Sequence, residues 1–324
     1  MIKKSLKAFS VVELAIAITL IAIITFGLIK GNSLFSVVNQ VGSQWVDKVK
    51  ITAKELCDEA KVTSSSNVGY SPVIISVNNK EYCVLTFGYD SSNQIAGQTQ
   101  YDVKLHADVE ADILVVAGGG AGGRDIGAGG SAGSIEFVPQ FSLKSKESYV
   151  VKVGKGGNKN GGSGSDSSFS DILAIKGLGG ASGPTSSSKG RGGSGAGGAG
   201  GSYGGWVGGG YGGPGINKID VGGDEYIFED IFALESGVGG GGYFAGGGGG
   251  GANGYTNYSS RTGLMRGGAG GIGGGGKGAN IGTDYPEEGL SNTGGGGGGG
   301  GGQVGHFQGA NGGSGIVIVR VATP

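Results

Sequence analysis

Proline, cysteine, histidine and charge are all scarce in this chain. Only six prolines occur among 324 residues and glycine does not recur at every third position, which excludes a collagen triple helix. Two cysteines are too few for a structural zinc site. His106 and His306 stand far apart, with no serine or cysteine context that would make either a catalytic base. Charged residues make up 15% of the chain and the formal net charge is −1. That balance argues against charge-driven disorder and against a nucleic-acid-binding surface. Glycine is what the chain has in excess: 81 residues, about a quarter of the total, against a usual share of roughly 7%. Six of these lie in residues 1–117, leaving 75 for residues 118–324. The composition therefore changes near Gly118, and the second stretch offers few side chains for the core of an ordinary enzyme.

The N-terminus carries a different signal. Lys3, Lys4 and Lys7 precede residues 9–29, an apolar stretch of 21 residues whose one charge is Glu13. At 1.5 Å per residue, a helix over it is about 31 Å long, enough to cross a bilayer core, with the lysines on the cytoplasmic side. The stretch is too long for a secretory signal and no A-x-A site closes it. A plain anchor would not explain Glu13, because a carboxylate inside a membrane segment costs roughly 2.5–3.5 kcal/mol and is by default functional.

The string Lys7-Ala8-Phe9-Ser10-Val11-Val12-Glu13-Leu14 resembles the N-terminal motif of type IV pilins and pseudopilins. The resemblance implies cleavage between Ala8 and Phe9 by prepilin peptidase and methylation of the new amine on Phe9. It also implies pairing of Glu13 with the amine of a neighbouring subunit. Two departures are the Ala8 before the cut, where glycine is commoner, and the lack of a proline near the middle of the apolar segment.

Beyond the apolar segment, Leu34, Val38, Val41, Trp45, Val49, Ala53, Leu56 and Ala60 are spaced by three or four. This spacing predicts one amphipathic helix continuing to Ala60, about 78 Å from Phe9. Residues 72–77 and 81–87 read as two strands around the turn pair Asn78-Asn79. Cys57 and Cys83 lie in the part that export would place outside the cytoplasm, where disulfides persist. A bridge between them would contribute about 3 kcal/mol in the chain-entropy model; the alternative is two buried free thiols.

Apolar strands bracket the glycine-rich half, at residues 112–117 and 315–322, with shorter runs at 134–138, 148–153 and 171–175. Residues 294–302 are nine consecutive glycines and 246–251 are six. Ordering glycine forfeits more backbone entropy than ordering any other residue. Such runs are therefore either unfolded or held by dense hydrogen bonding between backbones, as in polyglycine-II helices with three residues per turn and a 3.1 Å rise. The bracketing strands favour an ordered layer. Three strings, Asp112-Ile-Leu-Val-Val-Ala-Gly-Gly-Gly120, Gly164-Ser-Asp-Ser-Ser-Phe169 and Gly312-Gly-Ser-Gly-Ile-Val-Ile-Val-Arg320, resemble the glycine-rich domains of bacteriophage tail adhesins and of some receptor ectodomains. The resemblance implies a small β-framework with glycine helices beside it and recognition at loops.

Chemical motifs mostly fail. Residues 271–278 nearly spell a phosphate-binding loop, but Gly278 stands where Ser or Thr should follow Lys277, and no helical pattern succeeds it. Residues 161–169 approach a calcium-binding nonapeptide, with Phe169 one place late and no tandem repeat. Residues 216–235 interrupt the glycine pattern with acidic and apolar side chains and read as a short helix or loop capping the layer. Tyr203, Trp206, Tyr211, Tyr226, Phe228, Tyr243, Phe244, Tyr255 and Tyr258 are a candidate recognition surface; equally, these rings could cover the ends of glycine helices.

The expected organisation is a leader (1–8), a pilin helix (9–60, membrane span 9–29), a small β region (61–111) and a glycine-rich domain (112–324). The expected fold class is α+β: a long N-terminal helix, a β-hairpin region, then an all-β domain with packed polyglycine-II helices. The expected function is a minor pilin or pilin-like surface adhesin, moving from the inner membrane to an extracellular filament. Its expected partners are prepilin peptidase, other pilin subunits, the membrane and a cell-surface or glycan receptor, with no cofactor, metal, nucleic acid or catalytic step. The alternative is a secretion-system pseudopilin whose glycine-rich domain is structural.

Overall fold

The computed structural model describes residues 51–63, 70–180, 197–198, 209–232, 234, 242–253, 266–281, 284–302 and 308–323. Helix α1 (Ala53–Glu59) leads into strands β1 (Lys61–Thr63), β2 (Tyr70–Val77), β3 (Lys80–Gly88), β4 (Gln98–Lys104) and β5 (Val109–Val116). Strands β6 (Ile135–Leu143), β7 (Tyr149–Gly154), β8 (Ser167–Phe169) and β9 (Ile172–Ala174) follow. The hairpin β10 (Lys218–Val221) and β11 (Asp224–Ile227), helix α2 (Phe228–Phe232) and strand β12 (Ile316–Ala322) complete the elements.

The expected α+β class with a long helix is corrected by this structure. The described chain is mostly β, with two short helices, and no helix among the described residues is long and apolar enough to cross a membrane. Nor does one helix run unbroken into Ala60. Thr52 is extended (φ −86°, ψ 160°) and caps α1: its hydroxyl accepts from the Glu55 N–H, and the Glu55 carboxylate accepts from the Thr52 N–H. A reciprocal cap of this kind satisfies the free donors of a helix start, so α1 begins at Ala53 although its apolar residues keep helical spacing. Residues 9–50 lie outside the described residues.

Two five-stranded antiparallel sheets build the framework, in the orders β1-β4-β7-β8-β9 and β2-β3-β12-β5-β6. Between them lies a core that includes Leu85 and Phe87 of β3, Tyr101 of β4, Ile113 and Val115 of β5, Val151 of β7, and Val317 and Val319 of β12. The alternate residues of the second sheet (Val84, Leu114, Val116, Ile316 and Ile318) face a second core with Phe137, Phe228, Phe232 and Phe244. The central strands of that sheet are buried on both faces, which is why β5 and β12 read as continuous apolar runs and not as alternation. Residues 216–235, where described, form the hairpin and α2 that supply this second core.

The disulfide Cys57–Cys83 ties α1 to β3, with 5.4 Å between the two Cα atoms. Arg320 of β12 and Asp112 of β5 face each other in register; the Arg320 Nε donates to Asp112 Oδ2 at 2.8 Å, and a second guanidinium N–H bonds the same oxygen. The guanidinium also lies 4.5 Å from the centre of the Tyr82 ring and donates to the Ile231 carbonyl, so one side chain fastens β3, β5 and α2 to β12.

From the ends of β5 and β7 the chain continues as glycine-rich rows, and another such row leads into β12. The N–H groups of Gly118 and Ala121 donate to Ser165 and Gly162, those of Gly119 and Gly122 to Gly313 and Ala310, and those of Gly120 and Gly123 to Ser131 and Ala128. Every third residue thus bonds the same neighbour, the period of a polyproline-II-type helix. The run 294–302 shows the full arrangement. It donates to 246–252 through Gly296, Gly299 and Gly302, to 120–123 through Gly297 and Gly300, and to Glu287 through Gly298. Its carbonyls accept from 127–133, 276–279 and 310–313. Six different rows therefore surround it. The run 246–252 is also enclosed by six: it donates to 273–279, 210–213 and 127–130, and accepts from Gly198, 268–271 and 296–302. Side chains are excluded at most positions of these runs. A Cβ added at Gly298 would stand 1.9 Å from the Lys277 carbonyl oxygen, and one at Gly299 would stand 2.0 Å from that of Gly127.

Candidate functional site

The three-residue period decides which side chains the outer rows display. In the row 209–215, Gly209, Gly212 and Gly215 donate inward to Arg266, Ala269 and Ile272, and a Cβ on any of them would lie within 2.0 Å of a backbone oxygen. Tyr211 and Pro214 occupy the outward positions, and Tyr211 is 81% exposed. In the next row Gly268 and Gly271 are blocked by the carbonyls of Gly210 and Gly213, while Arg266, Ala269 and Ile272 are exposed. In the third row Gly275 and Gly278 face the carbonyls of Gly247 and Gly250, and Lys277 and Asn280 point away from them, half-buried.

Of these outward side chains Tyr211, Arg266, Ala269, Lys277 and Asn280, together with Asp284, line a cavity of about 420 Å³ on the flank of the lattice. Its polar groups are arranged by short-range contacts. Asn280 Oδ1 accepts from the Gly267 N–H at 2.9 Å, and its amide donates to Asp284. The Lys277 ammonium lies 3.8 Å from the same carboxylate. Among the described residues the Arg266 guanidinium makes no hydrogen bond or ion pair. The lining carries two cations and one anion, so one positive charge is left over, beside an exposed tyrosine ring. In the sequence Lys277 is conspicuous only as part of a failed phosphate loop. In the structure Gly273 and Gly274 have φ of 92° and 95° and turn the chain from one row to the next. No sequence motif singles out Arg266, Asn280 or Asp284. The signal for two of them is present as non-glycine residues three apart in glycine rows, in Arg266-x-x-Ala269 and Lys277-x-x-Asn280.

The anticipated aromatic surface divides. Tyr211 is exposed in this cavity. Phe228 and Phe244 are fully buried in the second core, 6.0 Å apart between ring centres, and present no surface. Tyr226 is half-buried with its ring 5.0 Å from that of Phe137, and Tyr243 is half-buried. Tyr203, Trp206, Tyr255 and Tyr258 lie outside the described residues, as do Ala8, Phe9, Glu13 and His306. His106 stands 3.7 Å from the Glu59 carboxylate. In the calcium-like segment the Asp166 carboxylate accepts from the Lys176 N–H at 2.9 Å, and its main-chain carbonyl accepts from Gln98. Among the described residues no three metal-ligating side chains gather.

Two β-sheets feeding a hexagonally bonded array of glycine rows define the class of protein. Residues 94–322 match the model of a family described as the glycine-rich domain, more than half of the chain, and the chain belongs to that family. A comparison with curated proteins found no match.

Proposed function

We propose that this protein is a minor type IV pilin or pilin-like surface adhesin. In this reading residues 9–29 hold it in an envelope filament and the glycine lattice is displayed outward to recognise a surface. The structural observation that supports the reading best is the Cys57–Cys83 disulfide, a bond that persists in oxidising compartments and fits export of the chain from residue 51 onward. The string from Lys7 to Leu14 supplies the pilin part of the reading, with Ala8 and Phe9 flanking the cut and Glu13 pairing with a neighbouring amine. Prepilin peptidase, other pilin subunits and the membrane are then its assembly partners, and a cell-surface or glycan molecule its receptor. No catalytic step, cofactor or nucleic acid is assigned to it. A domain of more than 200 residues would crowd a repeating shaft, which favours a tip or sparse position.

A pseudopilin with a structural domain is the second reading, favoured by the six-neighbour rows, whose interiors carry no side chain that could contact a ligand. Mass spectrometry of the envelope form tests the pilin assignment: the expected N-terminus is methylated Phe9, and any other mature N-terminus rejects it. Labelling filaments with an antibody to residues 209–302 separates the two readings. Sparse or terminal labelling on extracellular filaments supports the adhesin, and labelling confined to the envelope supports the pseudopilin.

A further inference from the structure

The cavity formed by Tyr211, Arg266, Lys277, Asn280 and Asp284 has the composition of a sugar site with a place for one negative charge. Tyr211 rises from a row whose neighbours on both sides are glycines, so nothing in its own row covers the ring face. An aromatic face exposed in this way offers a flat apolar platform for the C–H face of a pyranose. Asp284 and Asn280 are linked to each other and to the lattice backbone, which fixes a carboxylate and an amide at the cavity wall. Such groups satisfy sugar hydroxyls, because a carboxylate accepts only and an amide both donates and accepts. Arg266 is the remaining cation. Its planar fork matches a carboxylate in bidentate fashion, whereas Lys277 is already shared with Asp284.

From these juxtapositions we infer that the cavity binds a carboxylated saccharide, a uronate-type pyranose. Its ring lies on Tyr211, its carboxylate meets Arg266, and its hydroxyls meet Asp284 and Asn280. The single uncompensated positive charge selects a singly charged ring over a multiply sulfated one, which Asp284 would repel. A neutral sugar lacks the group that Arg266 is placed to meet, and an acidic peptide lacks the pyranose face. The inference deepens the adhesin reading by giving its receptor a chemistry, and rests on that reading for its biological setting, though not for the binding itself.

The test uses the full chain in detergent and calorimetric titration with three probes: a hexameric polyuronate, neutral maltohexaose and hexaglutamate. The polyuronate is expected to bind at least tenfold more tightly than either control, and to weaken as salt rises. Arg266→Ala is expected to lower polyuronate affinity at least tenfold and Tyr211→Ala at least fivefold, with Arg266→Lys recovering part of the loss. Both positions face outward, so the melting temperatures of these variants are expected to equal that of the parent, which separates loss of binding from loss of fold. No polyuronate binding, equal binding of maltohexaose or hexaglutamate, or an Arg266→Ala variant that binds like the parent would each overturn the inference. These results are independent of where the chain is cleaved, so the site can fail while the pilin assignment stands, and the reverse.

Discussion

A methyl group added inside the glycine run 294–302 gives the sharpest test of the lattice, because two positions of the same run are expected to answer differently. At Gly298 the added carbon would stand 1.9 Å from the Lys277 carbonyl oxygen, where real side chains do not come closer than 3.0 Å. The row holding Lys277 would have to retreat by about 1.1 Å. That row is bonded to the run through Gly276 N–H to Gly296 and Ala279 N–H to Gly299, both at 2.9 Å. A retreat of that size would stretch both to about 4 Å, beyond hydrogen-bonding distance. Overpacking costs roughly 1–3 kcal/mol and each lost hydrogen bond about 1 kcal/mol, so Gly298→Ala is expected to cost about 3–5 kcal/mol. For a chain of this size that is about 6–10 °C in melting temperature. Gly301 lies one period further along, where an added carbon would meet Ala279 Cβ at 3.4 Å and the Ala252 oxygen at 3.5 Å, ordinary contacts. Gly301→Ala is expected to melt within about 2 °C of the parent. Scanning calorimetry of the full-length protein in detergent reads both. Identical curves for Gly298→Ala and the parent would refute the bonded lattice, and an equal drop for both variants would refute the position-specific reasoning.

Four further expectations follow from the framework. Arg320→Leu leaves the nearly buried Asp112 carboxylate uncompensated (12% exposed) and is expected to cost about 3–5 kcal/mol in denaturant unfolding, with Asp112→Leu in the same chain recovering part of it. Non-reducing peptide mapping should recover Cys57 joined to Cys83, and reduction should lower stability by about 3.5 kcal/mol for the 26-residue separation. The Glu55 and Asp108 carboxyls are held below the usual carboxylate range, by hydrogen bonds from Thr52 and from Ser145 respectively. Their stabilisation is complete above that range and is lost as pH falls through their folded values, so melts below about pH 4 should flatten in Glu55→Gln, which keeps an acceptor but does not titrate. A fragment of residues 112–324 should fail to melt cooperatively, because β12 is paired along its length with β3, which that fragment lacks.

The sheets are more legible in the sequence than their arrangement. Asn78-Asn79 announces a hairpin, and both residues do take positive φ, 51° and 61°. The apolar runs at 112–117 and 315–322 announce buried strands. What periodicity does not supply is partnership: β12 is separated from β5 by some 200 residues yet lies between it and β3. Strand β4 escapes a pattern search because Gln98-Thr-Gln-Tyr-Asp-Val-Lys104 buries only alternate side chains and has few apolar ones. The helical spacing through Ala60 misleads for a local reason. Thr52 and Glu55 form a capping box that spacing alone does not weigh, and the box starts a new helix where the apolar stripe would continue an old one. Tyr226 and Phe228 lie in a segment that interrupts the glycine pattern, and Tyr243 and Phe244 lie between glycines, so they read as a recognition surface; Phe228 and Phe244 instead fill the face of a sheet whose two long apolar strands already need a cover.

Glycine spacing in this domain follows from how many rows touch a given row. A helix with three residues per turn has three lateral directions, and each direction that meets another backbone excludes a Cβ. The runs at 246–251 and 294–302 are enclosed by six rows, nearly every direction is closed, with Gly301 near the end of its run the exception, and the sequence there is glycine without interruption. The row 209–215 lies at the flank, one direction is open, and Tyr211 and Pro214 appear three residues apart. The row from Arg266 shows the same with Arg266, Ala269 and Ile272. The long side chains of these flank rows lie on the surface of the lattice, whereas small ones such as Ala121, Ala128, Ala252 and Ala279 are buried within it, and rows that lie next to one another at that surface bring their third residues together. The cavity at Tyr211, Arg266 and Lys277 is such a meeting of three rows, with Asp284 beside them. Rigidity comes with it: the backbones that carry those three residues are bonded to neighbouring rows at 2.7–3.1 Å, so no backbone freedom is left to lose on binding there.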